Sequence, residues 1–253
     1  MADVTEHAPG TPSWVDIGVP DIAAAAAFYT GLFGWETKDM GEEAGHYTMC
    51  KLRGKPVAAI GPAMNPGPPA WTTYITVASV DDTAAKITAA GGTVVAPPMD
   101  VMEAGRMAVA QDPTGAFFAI WQAGGSIGAE IVNEPGTLCW NELNTRDVDA
   151  ALTFYEQVFG LKAQRSEAYN EFHLGDRVVG GCMQMPEMVP AEVPANWLAY
   201  FAVSDVAAAK AKAESLGATS MVGPMEAGDT GTFVILGDPM GAVFAVIELK
   251  NPM

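Results

Sequence analysis

Residues 9–35 read PGTPSWVDIGVPDIAAAAAFYTGLFGW, and residues 135–161 read PGTLCWNELNTRDVDAALTFYEQVFGL. The two stretches align without a gap at an offset of 126 residues. The superposed pairs are Trp14 with Trp140, Asp16 with Glu142, Asp21 with Asp147, Phe28-Tyr29 with Phe154-Tyr155, and Phe33-Gly34 with Phe159-Gly160. Self-similarity of this kind points to an internal duplication, which has to be recognised before any single element is assigned.

The same offset returns near the end of each repeat. Residues 112–116 (DPTGA) align with residues 238–242 (DPMGA) in the same way. The chain is therefore predicted to consist of two homologous halves, residues 8–123 and residues 134–250. A short linker, residues 124–133, opens with Gly-Gly-Ser and joins them.

Each half divides again into two units. In the first unit, the alternation of apolar and polar residues over Trp14–Val19 predicts a strand. Asp21 is placed to cap a helix from Ile22 to about Phe33, which Gly34 ends. Further strands of this unit are predicted at His46–Leu52 and Pro56–Pro62. The second unit has a predicted strand at Trp71–Val77, a helix at Val80–Ala90 capped by Ser79, and strands near Thr93–Val95, Met107–Gln111 and Ala116–Gln122.

The repeating unit is thus βαβββ, about 60 residues long, and it occurs four times. A helix covers one face of such a sheet and leaves the other face free. Two units pair to close the sheet into a curved cup, so we predict an α+β fold with two tandem cup-shaped domains.

Charge and composition exclude several classes of partner. The 253 residues include 30 Asp+Glu against 13 Lys+Arg, a formal net charge of −17. Nucleic acids and anionic membranes repel such a chain, so neither is an expected partner. Nothing resembles a signal peptide, and no apolar run approaches the roughly 18 residues of a membrane helix. Three scattered cysteines without a CxxC pair fit a reducing cytoplasm, where we expect the protein.

The motif V-x-D-[IV]-x-x-A-x-x-F-Y-x-x-x-F-G, here Val19 to Gly34, resembles the opening of the vicinal-oxygen-chelate superfamily. The Asp-Pro-x-Gly-Ala turn before the last strand of each half resembles the same superfamily. Its members include glyoxalase I, fosfomycin- and bleomycin-resistance proteins and extradiol dioxygenases. Within it, the chain looks most similar to actinobacterial tandem proteins of glyoxalase-like or hydroxylase type. One fold of this kind hosts many chemistries, so the resemblance implies the architecture more than the reaction.

The resemblance also implies where a divalent metal would be bound. The superfamily places one ligand on the first strand of a module, seven residues before the helix-capping Asp. A second ligand lies on the last strand, seven residues after the Asp of the turn. These positions hold Trp14, Thr72, Trp140, Leu198, Ala119 and Ala245. Because Fe, Mn, Zn and Ni require imidazole and carboxylate donors, we predict no metal site and no other cofactor.

Strand alternation predicts instead an aromatic cup with one carboxylate in each half. Residues two apart share a face, so four side chains of the first half and three of the second are predicted to face inward. They are Trp14, Asp16, Tyr74 and Trp121, and Trp140, Glu142 and Tyr200. An apolar cup with few polar groups suits a flat hydrophobic molecule. Asp16 and Glu142 are the candidate acid/base groups, and each tyrosine can donate to a developing oxyanion. Alternatively, the carboxylates anchor loops or tyrosine hydroxyls and the tryptophans are packing residues.

Arg106 is a separate candidate. Its counterpart in the second half is Thr232, and a single cation in an acidic chain can hold an anionic group of a ligand. The alternative is an ion pair with a surface carboxylate.

Three functions remain open from the sequence. The first is a metal-independent enzyme acting on a small carbonyl or aromatic metabolite, of glyoxalase-like lyase or hydroxylase type. The second is a non-catalytic protein that sequesters a hydrophobic ligand. The third is a metal-dependent dioxygenase or lyase with displaced ligands near Asp16, His46, Glu142 and His173. A monomer or a homodimer fits all three, and the sequence identifies neither the ligand nor the active half.

Overall fold

The computed structural model describes residues 3–63, 67–167 and 169–250. The first half contains, in chain order, β1 (Pro12–Val19), α1 (Ile22–Phe33), β2 (Glu36–Asp39), β3 (Thr48–Leu52), β4 (Lys55–Pro62), β5 (Ala70–Thr76), α2 (Val80–Ala89), β6 (Thr93–Val101), β7 (Gly105–Gln111) and β8 (Phe117–Ala123). The second half contains β9 (Leu138–Thr145), α3 (Val148–Phe159), β10 (Lys162–Arg165), β11 (Asn170–Leu174), β12 (Arg177–Gln184), β13 (Asn196–Val203), α4 (Val206–Ser215), β14 (Thr219–Ala227), β15 (Gly231–Gly237) and β16 (Val243–Leu249).

Each half forms one eight-stranded sheet built from two βαβββ units. The strand order is β2-β3-β4-β1-β5-β8-β7-β6 in the first half, and β10-β11-β12-β9-β13-β16-β15-β14 in the second. The two units join at the antiparallel pair β1–β5, where Trp14 lies opposite Tyr74 and Asp16 opposite Thr72. The predicted α+β fold with four modules in two tandem domains is confirmed.

The helix boundaries follow from the capping residues that the sequence indicated. Asp21 accepts a hydrogen bond from the backbone N–H of Ala24, and Gly34 ends α1 in the left-handed conformation. Because the first N–H groups of a helix have no partner within it, a carboxylate placed there fixes where the helix begins. Ser79, Asp147 and Asp205 cap the other three helices in the same way.

The helix-covered faces of the two sheets pack against each other, with strand β5 directly against β13, so both cups face outward. One core joins the first module to the fourth, with α1 and strand β1 against Phe201 and Phe244 of the second half. The other core joins the second module to the third, with Ile87 and Phe118 against Tyr155. The two halves therefore share their hydrophobic cores.

Two equivalent hydrogen-bond chains cross this interface. Tyr29 donates to Asp238 at 2.8 Å and accepts from the indole N–H of Trp71 at 3.1 Å. Tyr155 donates to Asp112 at 3.1 Å and accepts from the indole of Trp197 in the same arrangement. The aspartates are those of the Asp-Pro-x-Gly turns, so each turn is fixed by a helix of the other half.

Several predicted elements differ from the observed ones. Strand β2 was not located from the sequence, because its four residues are all exposed and lack any apolar alternation. Strand β6 extends to Val101, well beyond the predicted Val95, because it pairs with β7 through two irregularities in register. His46 lies before strand β3 in a turn with a positive φ of 60°. No helix among the described residues combines the length and apolar character needed to cross a bilayer.

Candidate functional site

The first cup is the free face of the first sheet, lined by Trp14, Asp16, Tyr47, Tyr74 and Trp121. Strand alternation puts Trp14 and Asp16 of β1 on this face, while Val15 and Ile17 point into the helix-covered core. Trp14, Tyr74 and Trp121 are each 8% exposed, since they pack on one another and on small residues such as Ala59 and Ala119. Predicted cup residues from three strands are therefore brought together.

Asp16 accepts two phenol hydroxyls on a single carboxylate oxygen. Tyr74 donates to Oδ2 at 2.7 Å and Tyr47 donates to the same atom at 2.9 Å. Tyr47 in turn accepts the indole N–H of Trp14 at 3.1 Å. The result is a continuous chain from tryptophan through tyrosine to the carboxylate.

The second cup, lined by Trp140, Glu142, Tyr169 and Tyr200, repeats this pattern. Tyr200 donates to Oε1 of Glu142 at 3.0 Å, and the indole of Trp140 donates to the Tyr169 hydroxyl at 2.7 Å. Gly181 makes this possible, because a Cβ at that position would lie 1.9 Å from the Tyr169 hydroxyl oxygen. The backbone of β12 thus leaves the space that the tyrosine ring occupies.

Tyr47 and Tyr169 were missed from the sequence, although a signal for them was present. The offset between the halves changes from 126 to 122 residues before the β3–β4 hairpin, and under the second offset Tyr47 falls on Tyr169. The equivalence is visible in the structure, where Lys51 pairs with Glu36 as His173 pairs with Lys162.

Burial shifts the acidity of both carboxyl groups in the same direction. Removal from water raises the pKa of Asp16 to about 6, although the hydroxyls of Tyr74, Tyr47 and Thr72 offset part of that rise. The pKa of Glu142 is raised for the same reason and is likewise lowered in part by neighbouring tyrosines. The phenols keep their protons, since burial and the adjacent carboxylate raise the pKa of Tyr47 and Tyr74 well above 10.

The linker, residues 124–133, closes one end of the first cup. Trp121 donates its indole N–H to the carbonyl of Ser126 at 3.0 Å, and Ala129 and Val132 pack against the cup residues. The Ala129 N–H bonds to the Ser13 carbonyl at 2.8 Å, next to the start of β1. The linker is therefore part of the wall of this cup.

Arg106 lies away from the cup. Its guanidinium contacts Asp81 of α2 through two hydrogen bonds, at 2.9 and 3.0 Å, and Asp100 through a third at 2.8 Å. Because Asp81 is on the helix-covered side of the sheet, the structure does not bring Arg106 to Asp16. The ion pair with surface carboxylates is what the structure shows, and a role in ligand binding stays a prediction.

The residues present do not fit the metal that the resemblance implies. The implied positions carry indole, hydroxyl and aliphatic side chains, and no group of three or more His, Cys, Asp or Glu side chains converges among residues 3–63, 67–167 and 169–250. His46 bonds to Asp39 at 2.9 Å in an exposed turn, and His173 bonds to its neighbour Glu171 at 3.0 Å. Neither histidine supplies the missing imidazole beside Asp16 or Glu142.

A polar cavity of about 390 Å³ lies outside both cups. It opens beside the first turn of α3 and is lined by residues that include Arg146, Asp149, Arg165 and Asn170. Arg146 donates to the carbonyls of Pro190 and Val193, and Arg165 pairs with Asp149 at 2.6 Å. The guanidinium groups of Arg146 and Arg165 are thus already bonded to other parts of the chain.

Comparison with known proteins places the chain in a family. The family model described as Glyoxalase/Bleomycin resistance protein/Dioxygenase superfamily matches residues 11–120 and again residues 137–246. The chain is 45% identical over 260 residues to a Mycobacterium tuberculosis protein named "Putative glyoxylase CFP32", with 98% of both chains covered. It is 38% identical over 268 residues to the anthracycline biosynthesis protein DnrV of Streptomyces peucetius. That alignment covers 98% of this chain and 96% of DnrV.

A solved structure shows the same architecture at low sequence identity. The Mn(II)-bound glyoxalase from Novosphingobium aromaticivorans superposes with a TM-score of 0.68 and 18% identity, covering 97% of this chain and 86% of that one. On the two family matches and the full-length relatives, this chain belongs to the Glyoxalase/Bleomycin resistance protein/Dioxygenase superfamily and carries two tandem copies of its domain.

Proposed function

We propose that the protein binds a small, flat, apolar carbonyl compound in an aromatic cup and moves a proton on it with a cup carboxylate, without a metal. The observation that carries this proposal is the hydrogen-bonded set of tryptophan, two tyrosines and one carboxyl group in each cup. Apolar walls around a few convergent polar groups are typical of small-molecule sites. A carboxyl group with a raised pKa is suited to acid–base work near neutral pH.

The chemistry follows from the protonation states. An ionised Asp16 can take a proton from a carbon next to a ketone, which leaves an enolate whose negative charge lies on oxygen. Once Asp16 carries the proton it is a weaker acceptor, and the hydroxyl of Tyr74 can then donate to that oxygen. Return of the proton to the substrate restores Asp16, so no oxidant or reductant is consumed.

The side chains at the implied ligand positions support a metal-free mechanism. Trp14 and Ala119 hold no donor for a cation, and Thr72 alone offers a neutral hydroxyl. A dioxygenase or a metal-dependent lyase needs several anionic or imidazole ligands at one point. We therefore favour acid–base catalysis by the protein's own groups.

The relatives suggest which ligands to try first. One is named for glyoxylase and another for anthracycline biosynthesis, and anthracyclines are fused aromatic ring systems that carry ketone groups. We extend both hints to this chain as the class of aromatic and small carbonyl compounds. The probe 2-tetralone combines an aromatic ring, a ketone and acidic C–H bonds.

The test measures hydrogen exchange of 2-tetralone in D2O by proton NMR, with protein that has been treated with EDTA. We expect the wild type to accelerate exchange and the double variant D16N/E142Q to lose that acceleration. The double variant should still bind the probe, which is measured as quenching of the protein's tryptophan fluorescence. Saturable binding with no exchange would instead identify a sequestering protein. Exchange that disappears with EDTA and returns with Mn(II) or Zn(II) would overturn the metal-free mechanism.

A further inference from the structure

The two cups share a pattern but differ in access to the carboxyl group. Asp16 is partly exposed in the first cup, whereas Glu142 is only 7% exposed in the second. A group that exchanges a proton with a ligand has to touch that ligand. The first cup is therefore the one in which the acidic residue keeps some surface that a ligand can approach.

The neighbours across the sheet explain the difference. Thr72 lies opposite Asp16 on β5, and Leu198 lies opposite Glu142 on β13. Thr72 is a small, partly exposed polar residue, while the branched side chain of Leu198 is buried. The smaller Thr72 thus leaves more room beside Asp16 than Leu198 leaves beside Glu142.

An apolar surface continues from this opening. Phe117, the first residue of β8, points to the same face of the sheet as Ala119 and Trp121 and is 48% exposed. The residue at its position in the second half is Val243, which has no ring to stack on a flat ligand. The first cup therefore has an exposed aromatic ring on the face of the sheet that carries Asp16.

The other end of the first cup is sealed. The linker covers the Trp14 and Trp121 end, and its approach to β1 is so close that a Cβ on Gly128 would lie 2.5 Å from the Ser13 carbonyl oxygen. The N-terminal segment holds it down, since Val4 donates to the Glu130 carbonyl at 3.0 Å and His7 to the Ala129 carbonyl at 2.8 Å. A ligand therefore has its way in at the Asp16 end.

We infer that the first cup alone is reactive, with Asp16 as the catalytic residue and Thr72 as the residue that admits the ligand, while Glu142 has a structural role. This inference rests on the proposed function and deepens it. A flat ketone enters between Thr72 and Phe117, and its ring contacts Trp14 and Tyr74. The linker keeps water out from the far side, which strengthens the interactions around Asp16.

Two matched pairs of variants test the inference with the 2-tetralone exchange assay. D16N is expected to lose at least about 100-fold of the catalysed exchange, a usual loss for a general base, whereas E142Q keeps wild-type exchange. T72L carries the residue of the second cup into the first and is expected to weaken probe binding at least about tenfold, with L198T as its control. Circular dichroism and thermal unfolding verify that each variant is folded.

The possible results distinguish the assignment of activity to the first cup from the proposed acid–base function itself. Loss in E142Q with normal exchange in D16N, or equal partial losses in both, would overturn the assignment to the first cup and leave the proposed function standing. Normal exchange in both single variants and in the double variant would overturn both, as would a wild type that does not accelerate exchange. A rate that falls as Asp16 is protonated identifies direct proton transfer, because a purely structural aspartate would give no such profile.

Discussion

Asp16 places an ionisable group among the four aromatic residues of the first cup, and the two tyrosines that bond to it reduce the free-energy cost of its ionised form. Two phenol donors on one oxygen replace part of the water that the carboxylate loses, but the pKa still rises to about 6. Its ordinary value is 3.8, so folding favours the protonated form. Both the chemistry and the stability of the protein should therefore depend on pH in the range between these values.

The stability prediction concerns D16N. The stabilisation of the folded protein by a protonated Asp16 is complete below pH 3.8 and is lost as pH rises through about 6. Asparagine does not titrate, so the free energy of unfolding of D16N relative to wild type should rise between pH 4 and pH 7, by roughly 1 to 3 kcal/mol at about 1.4 kcal/mol per pKa unit. Urea unfolding at a series of pH values measures this, and a difference that is constant with pH would contradict the raised pKa.

A second prediction concerns the tyrosines. Because the Tyr47 hydroxyl stabilises the ionised form of Asp16, Y47F should move the pKa of Asp16 further upward. The titration of the Asp16 side-chain carboxyl carbon by 13C NMR reports it directly. Y200F is the matched control, since Tyr200 bonds to Glu142 and should leave the Asp16 titration unchanged. A pKa that stays at its wild-type value in Y47F would remove Tyr47 from the site.

At this scale the sequence predicted some of the site and missed the rest. Alternation along a single strand was enough to put Trp14 and Asp16 on one face. Tyr47 follows a turn of variable length, so its position depends on tertiary contacts that no local pattern contains. For Arg106 the sequence left a ligand contact and a surface ion pair open, and the structure shows the ion pairs with Asp81 and Asp100.

Among the elements, the linker requires glycine at position 128. Gly128 combines a φ of 99° with a contact to Ser13 that leaves no room for a side chain. Both properties follow from the need to bring the linker against β1 and over the cup. The segment that joins the two domains is thereby also a wall of one of them.

We expect G128A to destabilise the protein more than G54A does. Gly54 has a φ of 77° but nothing within 4 Å of its Cβ position, so alanine there carries only the backbone strain, about 1 to 2 kcal/mol. G128A adds a steric clash and should lose at least about 1 kcal/mol more. Equal midpoints of urea unfolding for the two variants would show that the linker does not need to approach β1 closely.

Helices were predicted closely and short edge strands were not. The capping residues Asp21 and Ser79 are local signals, and they located the two helices of the first half to within about one residue. Strand β2 has no apolar face, and it is a strand only because β3 is beside it. Elements defined by their neighbours are the ones that a local pattern does not reveal.

On the scale of the whole molecule, the two halves are packed into a single body. Their hydrophobic cores are shared, and each Asp-Pro-x-Gly turn is bonded to a tyrosine of the other half. The duplication was visible in the sequence, but the back-to-back packing was not. The repeated sequence does not indicate which face of each sheet packs against the other half.

Unfolding should therefore be a single cooperative transition. Y29F leaves Asp238 and the Trp71 indole without their buried partner, and it should lower stability by about 1 to 3 kcal/mol without splitting the transition. Y155F, its counterpart in the other half, should do the same. Circular dichroism and tryptophan fluorescence during urea unfolding monitor this, and two separated transitions would contradict the shared cores.

The proposed function requires that a cup carboxylate, and not a metal, performs the chemistry. The most direct measurement is the pH–rate profile of 2-tetralone exchange with metal-stripped protein whose metal content has been verified by plasma mass spectrometry. Because the base is active when ionised, we predict that the rate rises with pH through about 6 and then levels off, as the pKa of Asp16 requires. Activity that vanishes when the metal is removed and returns with one equivalent of a single divalent metal would show that a metal performs the chemistry.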